Sequence, residues 1–129
     1  MTDLHGRHAL IVDDDPDMRA ALRVVLEAAG CGVDEAATAA EGLEAAARTC
    51  PSLILADLMM EEVNSGVDMV RVLRERGCVC PVFLLSSAAD TVKHNIRPGD
   101  YGLDGLLQKP VAPDTLLETV RKALRIPPE

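Results

Sequence analysis

An alternation of two hydrophobic periods constrains this chain more than any other feature. Short apolar runs recur, and each is followed by a stretch with helical spacing. "HALIV" (8–12), "PSLILAD" (51–57) and "CPVFLLSS" (80–87) are continuous apolar runs, the pattern of strands buried on both faces. "CGVDEA" (31–36) is weaker and more polar, which suits an outer strand, and "LDGLLQK" (103–109) reads as a fifth. Between them lie helices with their own boundary signals. Asp15 is a good N-cap and Pro16 fits the first helical position, with Met18, Ala21, Leu22, Val25 and Ala29 at helical spacing before Gly30. Thr38 and Glu41 form a capping box for the next helix. A third helix is expected from Gly66 to Arg76 and a last one over 112–125. Residues 88–102 give no clear pattern, because Pro98 and Gly99 interrupt whatever helix begins there.

Strands that alternate with helices imply a parallel sheet covered on both faces. Right-handed crossovers then bring the carboxyl ends of all the strands to one edge, where sites in such sheets lie. Polar groups end four of the runs: Asp13 and Asp14 after the first, Asp57 after the third, Ser86 after the fourth and Lys109 after the fifth.

Carboxylates gathered in one pocket repel unless a cation joins them. Oxygen donors of that charge suit a hard divalent ion, and Mg²⁺ takes one or two carboxylates while keeping waters. Asp14, with Asp13 partly through water, can hold such an ion against Asp57. A carboxylate is also a nucleophile toward phosphorus, giving an aspartyl phosphate. Lys109 supplies a point charge for the phosphoryl oxygens and Ser86 a hydroxyl donor. No general base stands near Asp57 in the sequence, which favours a product that persists.

The chain resembles the receiver domains of two-component response regulators over nearly its whole length. The resemblance rests on "LIVDDDP", on "LILAD" with Asp57, on "VFLLSS" with Ser86 and on "LLQKP" with Lys109 and Pro110. It implies a flavodoxin-like (CheY-like) α/β fold, a doubly wound five-stranded parallel sheet of strand order 2-1-3-4-5. It also implies that Asp57 accepts a phosphoryl group from a histidine kinase or phosphotransfer protein. Asp13, Asp14, Asp57 and the backbone carbonyl of Met59 would bind Mg²⁺. Ser86 would be the switch hydroxyl, and the Lys109–Pro110 bond would be cis. Such a domain controls an output and is not itself an enzyme. A homodimer or an effector would use the face of the fourth helix, fifth strand and fifth helix.

This chain departs from the family pattern at several points. Glu61 stands where a proline is usual after the acceptor, and Gly66 comes one residue later than usual. Leu106 replaces an aromatic residue three positions before the lysine, so an inward swing of a ring is not expected. The segment 88–102 is instead expected to be the least stable part and the one that reorders.

Other readings of the same residues are plainer. Asp15 serves as an N-cap, and Ser87 either leaves room for phosphate or caps a helix. Glu61 and Glu62 read as solvated loop charges and Met59–Met60 as packing. His5, His8 and His94 show no catalytic partner. An aspartate-nucleophile phosphatase or hydrolase on a similar sheet would usually carry a second aspartate two residues after the nucleophile, where this chain has Met59. A receiver-like scaffold that is never phosphorylated would have no need of every site group.

Composition narrows the function classes. A formal net charge of -8 argues against direct nucleic-acid binding, which needs a basic face. No apolar run is long enough to span a bilayer and no N-terminal signal core is present, so a cytoplasmic location is expected. With one Phe, one Tyr and no Trp, the core must be aliphatic. The spacing of Cys31, Cys50, Cys78 and Cys80 matches no common zinc pattern, and reduced, partly buried thiols are expected. Cys78 and Cys80 would point to opposite faces if the chain there is extended. Residues 1–126 are read as the receiver domain and 127–129 as a tail or the start of a linker.

Overall fold

The computed structural model describes residues 3–60, 65–95, 97 and 102–126, the side chain of residue 94 excepted. The elements run β1 (His8–Val12), α1 (Pro16–Ala28), β2 (Gly32–Ala36), α2 (Ala39–Thr49), β3 (Leu53–Asp57), α3 (Ser65–Glu75), β4 (Val82–Ser86), α4 (Ala88–His94), β5 (Gly105–Gln108) and α5 (Pro113–Ala123). The five strands form one sheet in the order β2-β1-β3-β4-β5, and every neighbouring pair is parallel. Fold class and strand order therefore agree with the sequence reading.

Strand residues alternate between two aliphatic layers, as the period of two requires. Leu10, Val12, Ile54, Ala56, Val82 and Leu84 pack with Ala45 and Ala46 of α2 and Val67, Met69, Val70 and Leu73 of α3. Ala9, Ile11, Leu53, Leu55, Phe83 and Leu85 pack on the opposite face with Leu22 and Leu26 of α1 and Leu116 and Val120 of α5. At about 25 cal/mol per Å² these two layers are the main source of stability. By contrast, none of the described side chains of α4 is fully buried. Val92 is 82% exposed. This helix is held mainly by its caps: Ser87 Oγ accepts from the Asp90 amide, and Asn95 ends the helix in the left-handed conformation. Ser87 is thus a cap. Pro98 and Gly99, on which the expected interruption rests, lie outside the described residues, as do Glu61, Glu62 and the tail 127–129.

The structure corrects the expectation for Cys78 and Cys80. Strand β4 begins only at Val82, and the two sulfur atoms lie 3.4 Å apart instead of on opposite faces. Both residues pack against the layer formed with α2 and α3. The cause is Arg74, at the end of α3. Its Nη1 donates to the carbonyl of Cys78 (2.9 Å) and to that of Cys80 (2.8 Å), which bends the segment back on itself.

Candidate phosphoacceptor site

Parallel pairing in register carries the site groups to one edge. Asp57 is the last residue of β3, opposite Leu85, and Ser86 ends β4 opposite Gln108. The Asp13 amide donates to the Ala36 carbonyl (3.0 Å), extending the β1–β2 ladder by one bond. The Lys109 amide donates to the Ser86 carbonyl (2.9 Å) and so ties the end of β5 to the end of β4. The Lys109–Pro110 peptide is cis.

Asp13 is fully buried and Asp57 nearly so, while Asp14 and Asp15 are exposed. One ligand oxygen from each of Asp13, Asp14 and Asp57 lies within 4.8 Å of the others, the one group of three metal-ligating side chains among the described residues. Lys109 Nζ sits 3.2 Å from Asp57 Oδ1 and 3.4 Å from Asp13 Oδ2. The Met59 amide donates weakly to Asp57 Oδ1 (3.4 Å), which puts the Met59 backbone beside the Asp57 carboxylate. Asp15 is an N-cap, its carboxylate accepting from the Asp17 amide, while the Asp15 amide donates to Asp13 Oδ1 (2.9 Å). The acidic run thus divides into two carboxylates that cluster with Asp57 and one cap.

Burial pushes the Asp57 carboxyl up to about 6, and the neighbouring charge of Asp13 adds to this, against the opposing pull of Lys109 and the Met59 amide. The group is still mainly ionised at neutral pH, and its oxygen is more basic than that of an exposed aspartate. For Lys109, burial favours the neutral amine. The carboxylates of Asp57 and Asp13 outweigh it and raise the pKa, so the ammonium persists. One ammonium among three carboxylates leaves a net negative pocket, and a hard divalent cation is the charge that balances it. The residues present fit such an ion.

The start of α3 is also part of the site. A Cβ on Gly66 would stand 2.3 Å from the Asp57 carbonyl oxygen, so only glycine allows the helix to approach this closely. The Gly66 amide donates to the Leu58 carbonyl (3.1 Å). The shifted glycine therefore still packs against the Asp57 backbone.

Two residues at this edge escape sequence reasoning. Arg19 Nη1 donates to the Asp13 carbonyl (2.6 Å) and its Nε to Glu35 (2.9 Å), bracing the acidic loop. Thr91 of α4 places its Oγ1 2.9 Å from Ser86 Oγ and 3.0 Å from the Ser87 carbonyl. Ser86 Oγ in turn donates to the Ser87 carbonyl (3.0 Å). Of the histidines, His8 is accounted for by a pair with Asp34 across the β1–β2 ladder (2.7 Å). Leu106 is half-buried opposite Leu84, against the layer formed with α2 and α3.

A doubly wound parallel sheet with an acidic pocket and a lysine at its carboxyl edge defines a phosphoacceptor-type signalling domain. Comparison with known proteins places it: residues 9–121 match the response regulator receiver domain model, and the chain belongs to that family. It is 37% identical over 116 residues to response regulator MprA of Mycobacterium leprae, covering 90% of this chain and 50% of that protein. It is 35% identical over 124 residues to the DNA-binding response regulator MtrA of Mycolicibacterium smegmatis, covering 95% of this chain and 53% of that one. The chain thus spans about half the length of these relatives. Among solved structures it resembles the chemotaxis response regulator CheY4 of Vibrio cholerae, with a TM-score of 0.81 and 29% identity over 92% of this chain and 98% of that one.

Proposed function

We propose that Asp57 is the phosphoacceptor of this receiver domain. The observation that carries the reading is the Lys109 ammonium shared between Asp57 and buried Asp13, within a cluster of three carboxylates. In the transfer, an Asp57 carboxylate oxygen bonds to phosphorus as the P–N bond of a kinase's phosphohistidine breaks, and the electron pair returns to the imidazole. Asp13, Asp14, Asp57 and the Met59 carbonyl would hold Mg²⁺, which when bound supplies positive charge to the phosphoryl oxygens. Lys109 adds a second charge at the same oxygens. The domain signals and does not turn over substrate: position 59, where a hydrolase of this chemistry usually has its general acid, is a methionine. Incubation with an acyl phosphate and Mg²⁺, followed by intact-mass measurement, tests the assignment. A persistent gain of one phosphoryl group supports it, and a chain that stays unmodified refutes it.

Lys109→Ala should fold and keep the carboxylate cluster, yet lose on the order of a hundredfold or more in phosphorylation rate, as deletion of one stabilising charge or donor typically does. Stopped-time mass spectrometry of both proteins at equal donor concentration gives the ratio. A ratio near one would remove Lys109 from the site.

Ser86 is the switch hydroxyl in this reading, and Thr91 connects it to α4. Turning Ser86 toward a phosphoryl group would take it from Thr91 and the Ser87 carbonyl, at the start of the least buried helix. Leu106 has no comparable link. Thr91→Val removes one such hydrogen bond, about 1 kcal/mol, or roughly a fivefold shift in the opening equilibrium. Hydrogen exchange should therefore be about fivefold faster at the α4 amides of the unphosphorylated variant, with a smaller further change on phosphorylation. Identical exchange in the variant would show that Thr91 does not hold the helix.

The partners follow from the same reading: a histidine kinase or phosphotransfer protein upstream, and a second copy or an effector on the face of α4, β5 and α5. Contact with nucleic acid is not assigned to these residues, in keeping with the net charge of -8. No helix among the described residues is long and apolar enough to cross a membrane. We assign the domain to the cytoplasm.

A further inference from the structure

The edge of the sheet opposite the acidic pocket carries a second piece of chemistry. Cys78 Sγ and Cys80 Sγ are 3.4 Å apart, and both are free thiols. The turn that brings them together is built rather than incidental. Arg74 Nη1 takes both cysteine carbonyls, its Nη2 reaches the Gly102 carbonyl (2.7 Å) and Asp104 Oδ2 (3.1 Å), and the Asp104 carboxylate also accepts from the Val82 amide (2.8 Å). The guanidinium thus pins the turn between the end of α3 and the start of β5. Val79, between the cysteines, is 88% exposed, so the turn opens on solvent. On its other side the two thiols line a cavity of about 370 Å³ with Leu43, Ala46, Leu73 and exposed Cys50.

Two sulfur donors do not make a closed tetrahedral zinc site, which needs four ligands. The separation suits a different reaction. Sulfur atoms in a disulfide stand about 2.05 Å apart, so closure asks for a movement of roughly 1.4 Å between the two side chains.

We propose that Cys78 and Cys80 are a dithiol site that closes reversibly to an intramolecular disulfide by exchange with a small-molecule disulfide. The Cys78 thiolate attacks one sulfur of the reagent, a mixed disulfide forms and one small thiol leaves. Cys80 sulfur then attacks the Cys78 sulfur, and the second small thiol leaves. The two cysteines lose two electrons and two protons, and the reagent gains both as two thiols. Burial and the adjacent Cys78 push the Cys80 thiol up, which suits Cys80 to the second attack, on a mixed disulfide held against it.

The test uses the full chain in glutathione buffers of graded oxidation, with alkylation of remaining thiols, intact mass and peptide mapping. Wild type should lose two hydrogens without retaining glutathione, and the peptide bearing Cys78 and Cys80 should resist alkylation. Cys50→Ser should behave the same. Cys78→Ser and Cys80→Ser should not close and should accumulate at most a glutathione adduct. Because the fold holds the sulfurs together, the exchange constant should be about fivefold or more larger for the native chain than for the same chain in urea. Circular dichroism of each variant confirms that it is folded. Closure through Cys50, a stable glutathione adduct in place of closure in wild type, or an exchange constant no larger in the native chain than in urea would each overturn the proposal.

Discussion

Asp57→Asn is expected to gain no phosphoryl group from an acyl phosphate with Mg²⁺ present, at donor concentrations that modify wild type fully. The amide has nearly the shape of the carboxylate but is no nucleophile toward phosphorus. The variant should fold, because the backbone of β3 and the contact between Gly66 and the Asp57 carbonyl do not depend on the side-chain charge. It should also melt higher than wild type without metal. Wild type holds a nearly buried Asp57 carboxylate beside a fully buried Asp13, with one ammonium between them. Removing one of the two buried charges relieves both desolvation and repulsion. Intact mass and thermal denaturation on the same preparation check both halves. Phosphorylation of the variant at the wild-type rate would move the acceptor to another residue.

Mg²⁺ should raise the stability of wild type markedly. A ligand bound only by the native state contributes RT ln(1 + [L]/Kd), roughly 2.7 kcal/mol at a hundredfold excess over Kd. At about 4 °C per kcal/mol for a domain of this size, the melting temperature should rise by on the order of 10 °C. Asp14→Asn is the informative control. Asp14 is exposed, so its replacement leaves the buried pair and the core alone, yet it removes one of the three clustered oxygens. Its Mg²⁺ increment should fall by more than half. A full increment in Asp14→Asn would mean that the stabilising ion binds away from this cluster.

The parts of the site that are legible in the sequence are those set by sheet geometry. Asp57, Ser86 and Lys109 each close an apolar run, and parallel pairing sends every such end to the same edge. Asp13 and Asp14 follow "HALIV" for the same reason, and Asp15 before Pro16 announces its own cap. Thr91 is not legible, because a threonine four residues after Ser87 looks like any polar position of a short helix. Its meaning comes from the hydroxyl of Ser86, which the turn into α4 brings within 2.9 Å. The thiol pair is hidden for a related reason. Residues 78–80 continue into an apolar run and read as extended chain, whereas the bend is imposed by the Arg74 side chain on backbone carbonyls. Side-chain-to-backbone bonds of this kind have no periodicity for a sequence pattern to reveal. The limits of α4 are obscured by its exposure: with no buried described residue, it has no apolar stripe to read.

The contact between Gly66 and the Asp57 carbonyl has a consequence for how this domain can vary. Asp57 is fixed by strand pairing, and the start of α3 is fixed by backbone lying directly on Asp57. The connection between them can therefore change length without moving either end. One further residue in a connection of this size costs only about 0.1 kcal/mol of closure entropy. A change of length between these two ends is thus cheap in chain entropy. Its length can change while Asp57, Ser86 and Lys109 stay where the sheet put them. The length of this connection and the placing of the strand ends are, in this architecture, separately variable.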